Sequence, residues 1–292
     1  MKTKTKRLGR KLVLPEVFVL CCLFFLAGFY ASGLLSREAV NVRPKLRRLE
    51  MVEGEAESEK EHRPMAHGVT GESSIDSIPF QVLSWKPRAL YFPGFATPDQ
   101  CKAIIDQAKL QLKPSSLALR EGETVESTKG TRTSSGTFIS ASEDKTGVLD
   151  FVERKIAKAT MLPRSYGESF NILRYEIGQK YDSHYDAFNP AEYGPQSSQR
   201  LASFLLYLSD VEEGGETMFP FENESNIYSN YEFKRCMGLK VKPKLGDGLL
   251  FYSLLPNGTI DQTSLHGSCP VTKGEKWVAT KWIRDQEYNE FL

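Results

Sequence analysis

The chain has 292 residues, 40% of them apolar, a composition that allows one large globular domain with extensions or two small ones. Lysine and arginine (38) nearly balance aspartate and glutamate (37), leaving a formal charge of +1. No bulk field therefore argues for nucleic acid as a partner, and any charged partner must be met locally.

Near the N-terminus, Val17 to Leu35 is a run of nineteen residues without a charge, about the length a helix needs to span a bilayer core of ~30 Å. A cleavable signal peptide shares this pattern, since Ala31, Ser32 and Gly33 are small. The preferred reading is an uncleaved anchor at residues 12–35 behind a cytosolic tail at 1–11. Basic residues before the span (Lys2, Lys4, Lys6, Arg7, Arg10, Lys11) are nearly matched after it (Arg37, Arg43, Lys45, Arg47, Arg48), so charge alone barely sets the orientation. Glycosylation acceptors at Asn223 and Asn257 are usable only in the secretory lumen. Together these lead us to expect a single-pass type II protein of the endoplasmic reticulum or Golgi membrane, with its C-terminal region luminal.

Residues 36–79 lose apolar periodicity and gain charge, most of all in "EGEAESEKEHRP" (Glu53 to Pro64), and read as a disordered stem. Folded sequence is expected over 80–292. "VLSWKPRALYFPGF" (Val82 to Phe95) has the texture of short strands and a turn. Thr97, Pro98 and Gln100 offer an N-cap, a first-turn proline and a capping-box partner for a helix carrying Ile104, Ile105, Ala108 and Leu112. A second helix is expected from near Ser142, with Val148, Val152, Ile156 and Ala159 on one stripe. Between them, Leu119 to Phe138 reads as a long mobile connection. From Glu168 onward, "SFNILRYEIG", "RLASFLLYLSD", "LKVKPKLGDGLLFYSL" and "EKWVATKWIR" give the rhythm of short strands. The fold class expected is mainly β with flanking helices (α+β), the two helices outside one sheet of a sandwich or barrel.

Five cysteines are present. Cys21 and Cys22 lie in the apolar run, leaving Cys101, Cys236 and Cys269. Cys236 and Cys269 are the favoured disulfide because both flank the strand-rich region, with three buried thiols as the alternative.

The segment "QKYDSHYDAF" (Gln179 to Phe188) concentrates two tyrosines, two aspartates and a histidine in a chain with four histidines. His184 and Asp186 are two residues apart, so in a strand both point to one face and can grip one ion. A third ligand is needed. His62 and His67 fall in the stem, which leaves His266 in "TSLHGSCP". Two histidines and one carboxylate on one face of an octahedron suit non-haem Fe(II), with three positions open.

At this point the sequence resembles the 2-oxoglutarate-dependent, Fe(II) prolyl 4-hydroxylases, especially the short membrane-anchored kind of plants. The resemblance runs from about Leu83 to Arg284. It is carried by "RTSSGTF" (Arg132 to Phe138), "NILRYEIGQKYDSHYD" (Asn171 to Asp186), "RLASFLLYLSDVEEGGET" (Arg200 to Thr217), "KPKLGDGLLF" (Lys242 to Phe251) and "LHGSCPVTKGEKWVATKWIR" (Leu265 to Arg284).

The resemblance implies a double-stranded β-helix, a jelly roll holding Fe(II) through His184, Asp186 and His266. It implies that Lys276 pairs with the far carboxylate of the co-substrate 2-oxoglutarate, helped by Tyr175 and Thr217. Tyr181 and Trp282 would line the proline side of the metal, with Arg200 near the peptide channel. L-ascorbate is the expected reductant, a proline-rich secretory or cell-wall glycoprotein the expected substrate, and related hydroxylases the expected partners in any oligomer. Two rivals stand beside this reading: a hydroxylase of another side chain such as lysine, and a non-catalytic β-sandwich in which His184 and His266 never meet.

Overall fold

The computed structural model describes residues 78–288. The expected tail, the anchor and the stem up to residue 77, with Cys21, Cys22, His62 and His67, lie outside the described residues. Among those described, no helix is long and apolar enough to cross a membrane.

Fourteen strands are described. Eight form one antiparallel sheet, in spatial order β1 (Gln81–Trp85), β2 (Arg88–Phe92), β11 (Gly248–Tyr252), β7 (Arg200–Tyr207), β14 (Lys276–Arg284), β5 (Phe170–Tyr175), β4 (Ser135–Ile139) and β3 (Lys113–Pro114). Four more pair as β10 (Leu239–Val241), β9 (Thr217–Phe219), β12 (His266–Ser268) and β6 (Tyr181–His184). A short pair, β13 (Val271–Lys273) with β8 (Glu213–Gly214), completes the set. The molecule is thus mainly β with few helices, an arrangement consistent with a jelly roll.

The large sheet is covered on both faces, and its strands alternate accordingly. On β7, Ala202, Phe204 and Leu206 belong to the apolar cluster under the helices, while Leu205 and Tyr207 belong to the cluster that also holds Phe219 of the small sheet. β14 repeats the split, with Trp277, Ala279 and Ile283 on the helix side and Val278 on the other. Burying each such large apolar side chain contributes roughly 1.5–3 kcal/mol, and the period of two sends the intervening residues into the space between the sheets. There stand Ser203, Lys276 and Trp282, the polar and aromatic members of the same two strands.

Helix α1 (Pro98–Ala108) begins as expected: Gln100 N–H donates to Thr97 Oγ1 at 3.1 Å and Thr97 N–H to Gln100 Oε1 at 2.9 Å. Its buried residues are Cys101, Ile104 and Ala108. Helix α2 (Val148–Thr160) starts later than the sequence suggests, because the Asp144 carboxylate accepts from the N–H groups of Thr146 and Leu149 and shapes a turn ahead of the helix. The long connection is also shorter than expected, since Ser135 to Phe138 are already in β4. A one-turn helix, α3 (Pro190–Tyr193), lies between β6 and β7.

Candidate metal centre

Strands β6 and β12 pair antiparallel with His266 directly opposite His184. Both imidazoles therefore project from one face, and their ring centroids are 4.3 Å apart. Asp186 lies just beyond the end of β6. His184 Nε2 is 3.6 Å from one Asp186 carboxylate oxygen and His266 Nε2 is 3.6 Å from the other. These separations exceed hydrogen-bonding distance, so the three groups converge on a common point rather than on each other. One ligand atom from each residue lies within 4.8 Å of the other two.

The imidazole tautomers follow from the other ring nitrogens. His184 Nδ1 faces the Asp182 carbonyl and His266 Nδ1 the Ser264 carbonyl, each at 2.9 Å. Each Nδ1–H donates to its carbonyl and leaves the Nε2 lone pair directed at the convergence point, as metal-ligating histidines are generally arranged. Burial pulls the His266 imidazole down to about 4, so it is neutral near pH 7. Burial would raise the Asp186 carboxyl, but the two imidazoles and the Arg200 guanidinium hold it below the ordinary carboxylate range. Ser203 Oγ–H donates to Asp186 Oδ2, fixing that carboxylate from the large sheet. Two imidazole Nε2 atoms aimed at one point and one carboxylate, each side chain oriented by a second hydrogen bond, fit a ferrous ion.

Beside the triad, Lys276 is fully buried at the start of β14. Its ammonium donates to Ser268 Oγ at 2.9 Å and lies over the rings of Tyr175 (5.3 Å) and Tyr207 (5.9 Å). Burial pulls it down to about 7, against a weaker opposing pull from Glu216. Tyr207 O–H donates to Thr217 Oγ1 at 2.9 Å. A cavity of about 40 Å³ is lined by the triad together with Tyr175, Thr217, Ser268 and Lys276. A buried cation beside such a cavity is a receptor for a carboxylate, which would restore the charged form that burial disfavours.

On the outer side His184 and Asp186 line a groove of about 900 Å³. Tyr181 stacks on His184 with centroids 3.6 Å apart, and Arg132 covers Tyr181 at 4.7 Å. Trp282 lies under Arg200, whose guanidinium carbon is 3.6 Å from the ring centroid. Arg200 is itself held by Glu168, with Nε and Nη2 donating to the two carboxylate oxygens at 2.7 and 2.8 Å. The Trp282 indole N–H is buried and has no hydrogen-bond partner among the described residues.

The structure thus gathers His184, Asp186, His266, Lys276, Tyr175 and Thr217 around the inner cavity, and Tyr181, Trp282 and Arg200 along the groove, the two spaces sharing His184 and Asp186. Cys236 and Cys269 are joined as a disulfide, and Cys101 is a buried thiol. Asn223 and Asn257 are exposed, away from the groove lining. Sequence reasoning did not single out Ser203, Ser268, Arg132 or Glu168. Arg132 had a signal, as the first residue of "RTSSGTF". Ser203 could be found from the period of β7, but Ser268 and Glu168 are ordinary polar residues until the sheets are assembled.

A family model described as the 2OG-Fe(II) oxygenase superfamily matches residues 170–284. The chain is 73% identical to "Probable prolyl 4-hydroxylase 9" of Arabidopsis thaliana over 291 residues, 99% of this chain and 100% of that protein. It is 58% identical to "Prolyl 4-hydroxylase 13" of the same plant over 283 residues, 96% of this chain and 97% of that one. Among solved structures, the viral collagen prolyl hydroxylase of Paramecium Bursaria Chlorella virus-1 in its 2OG complex is 28% identical. That match covers 67% of this chain and 95% of the viral one, with a TM-score of 0.49. The full-length likeness to the two plant proteins shows that this chain belongs to the prolyl 4-hydroxylase family of 2OG-Fe(II) oxygenases.

Proposed function

We propose that this protein hydroxylates C4 of peptidyl proline and couples the reaction to decarboxylation of 2-oxoglutarate to succinate and CO2. The observation that carries the reading is the convergence of His184, Asp186 and His266 on one point, 3.6 Å from imidazole to carboxylate on either side, beside the buried Lys276.

Fe(II) and 2-oxoglutarate, when bound, supply the oxidising chemistry. The chain's own contribution is to hold, orient and exclude. The two Nε2 atoms and the Asp186 carboxylate would hold the ion. Lys276 receives the far carboxylate of the keto acid, with Ser268, Tyr175 and Thr217 around it. Tyr181 and Trp282 form apolar walls on the groove side, and Arg200 is kept in place by Glu168. Such walls set the approach of a proline ring and keep water from the reacting centre.

The jelly roll is read as a double-stranded β-helix, with L-ascorbate as the reductant that would keep a bound iron ferrous. Proline-rich secretory or cell-wall glycoproteins are the proposed substrates. A groove of this size flanked by Phe138, Phe188 and Tyr193 suits an extended polyproline helix, which loses little further entropy on binding. The proposed setting is luminal, with the N-terminal run as a type II anchor in the endoplasmic reticulum or Golgi, glycans on Asn223 and Asn257, and any oligomer formed with related hydroxylases.

The test is mass spectrometry of a proline-rich peptide incubated with the protein, Fe(II), 2-oxoglutarate and ascorbate. The expected result is the mass gain of one oxygen atom, localised to proline and dependent on 2-oxoglutarate. Modification of lysine instead of proline would move the protein to a different hydroxylase class.

A further inference from the structure

Strands β9 and β10 pair directly, Phe219 against Leu239, yet residues 220–238 intervene between them. A hairpin connection ordinarily needs two to five residues. The excess length therefore does something other than connect. The segment returns to the sheet at Gly238, where φ is 84° and a Cβ would stand 2.2 Å from the Phe219 carbonyl oxygen. Only glycine fits that re-entry.

The excursion docks on β6, the strand that carries His184, at Ser183, while Thr131 and Thr133 hydrogen-bond the outer edge of that strand. Ser183 N–H donates to the Phe233 carbonyl at 2.9 Å. On the same residue, Ser183 Oγ and the Tyr231 hydroxyl are 2.8 Å apart, and that hydroxyl donates onward to the Arg235 carbonyl at 2.9 Å. Phe221, Tyr231 and Phe233 form an edge-to-face run, with centroids 5.4 and 5.8 Å apart. Cys236 then bonds Cys269, three residues after His266. The segment is thus tied to both strands that carry metal-ligand histidines: by hydrogen bonds to β6 and covalently to the end of β12.

At the apex of these ties the Phe233 ring is 54% exposed and lines the same groove as His184, Tyr181 and Trp282. A large apolar ring held firmly but left uncovered beside a reacting centre is a surface for a ligand. Proline-rich peptides are recognised by aromatic walls, on which pyrrolidine rings pack flat. We infer that Phe233 is a specificity-determining residue that packs against a peptide residue flanking the hydroxylated proline, and that the Cys236–Cys269 disulfide is a positioning device holding that ring at the groove. The inference rests on the prolyl hydroxylase reading above.

The test compares steady-state constants of the full-length chain and its variants for a proline-rich peptide and for 2-oxoglutarate. Phe233→Ala raises the peptide KM about three- to tenfold, the loss of one aromatic contact, while kcat at saturating peptide and the KM for 2-oxoglutarate stay within about twofold. Phe233→Tyr restores the peptide KM. The double variant Cys236→Ser with Cys269→Ser raises the peptide KM to a similar extent. Adding Phe233→Ala to it brings little further change, because the disulfide acts through that ring. An active Phe233→Ala protein with unchanged peptide KM overturns the contact. Equal rises in the KM for peptide and for 2-oxoglutarate overturn it too, since they mark general damage to the centre. Additive effects of the Phe233 and cysteine changes overturn the positioning role. A wild-type chain that turns over no prolyl peptide removes the function reading itself, whereas an active wild type with an indifferent Phe233 removes only this inference.

Discussion

Ser203, on the large sheet, donates its hydroxyl proton to Asp186, the carboxylate ligand candidate that follows the small sheet's edge strand. This single bond links the two layers at the metal centre. It also orients the Asp186 carboxylate from the side of the large sheet. Removing it in Ser203→Ala is expected to weaken Fe(II) affinity about 10- to 100-fold, the usual cost of losing a hydrogen-bond partner behind a ligand. Anaerobic calorimetric titration reads this directly, and unchanged affinity would mean that Asp186 is held by other contacts.

Lys276 carries a pH dependence whose sign can be worked out. Its ammonium titrates near about 7 in the folded protein and near 10.5 when unperturbed. Between these values the unfolded chain binds more protons, so this group makes stability rise with pH through that window. Below it the charged, buried lysine costs the free fold on the order of 5 kcal/mol. Lys276→Met removes the buried charge at similar volume. We expect a higher melting temperature at pH 6 and abolished saturation by 2-oxoglutarate, measured by thermal unfolding and by turnover.

The same lysine governs co-substrate affinity. A bound carboxylate stabilises the protonated form and raises its pKa, so affinity for 2-oxoglutarate is fully present below pH 7 and declines as pH rises above it. The apparent KM for 2-oxoglutarate is expected to increase by up to about tenfold per pH unit above 7. A flat profile between pH 7 and 9 would show that Lys276 stays charged without the keto acid.

Arg200 is clamped by both oxygens of Glu168 and stacked on Trp282. Lysine retains the charge but loses the fork and the planar stack. Arg200→Lys is expected to lower stability by about 1–3 kcal/mol and to raise the peptide KM. Chemical denaturation and peptide kinetics measure the two effects separately.

The loop over the groove is tied to α3 by an Arg120–Glu192 ion pair at 2.7 Å and by Glu121 N–H donating to the Glu192 carbonyl at 2.8 Å. Both sides are exposed, so these ties are weak. Bound peptide is expected to protect Leu119 to Thr133 from limited proteolysis, and unchanged cleavage would count against closure of this loop.

Much of the centre was legible because its parts obey short rules. The His184 and Asp186 spacing follows the strand period, Thr97 and Gln100 announce a helix start, and few histidines were left to complete a triad. Less legible were the residues whose meaning comes only from register. Ser268 and Lys276 are eight apart in sequence and meet because β12 and β14 lie in facing sheets. Phe233 belongs to a polar, charged stretch and is placed at the groove by a disulfide and a hydrogen bond from Ser183 of β6. Helix α2 begins at Val148 and not near Ser142 because Asp144 caps a turn that resembles the beginning of a helix.

The central claim is that His184, Asp186 and His266 bind one ferrous ion together. Anaerobic titration of the metal-free protein with Fe(II) tests it most directly. One ion per chain is expected in the wild type, with binding lost in His266→Ala even when the variant remains folded by circular dichroism. Undiminished one-to-one binding in His266→Ala, or no stoichiometric binding in the wild type, would contradict the account.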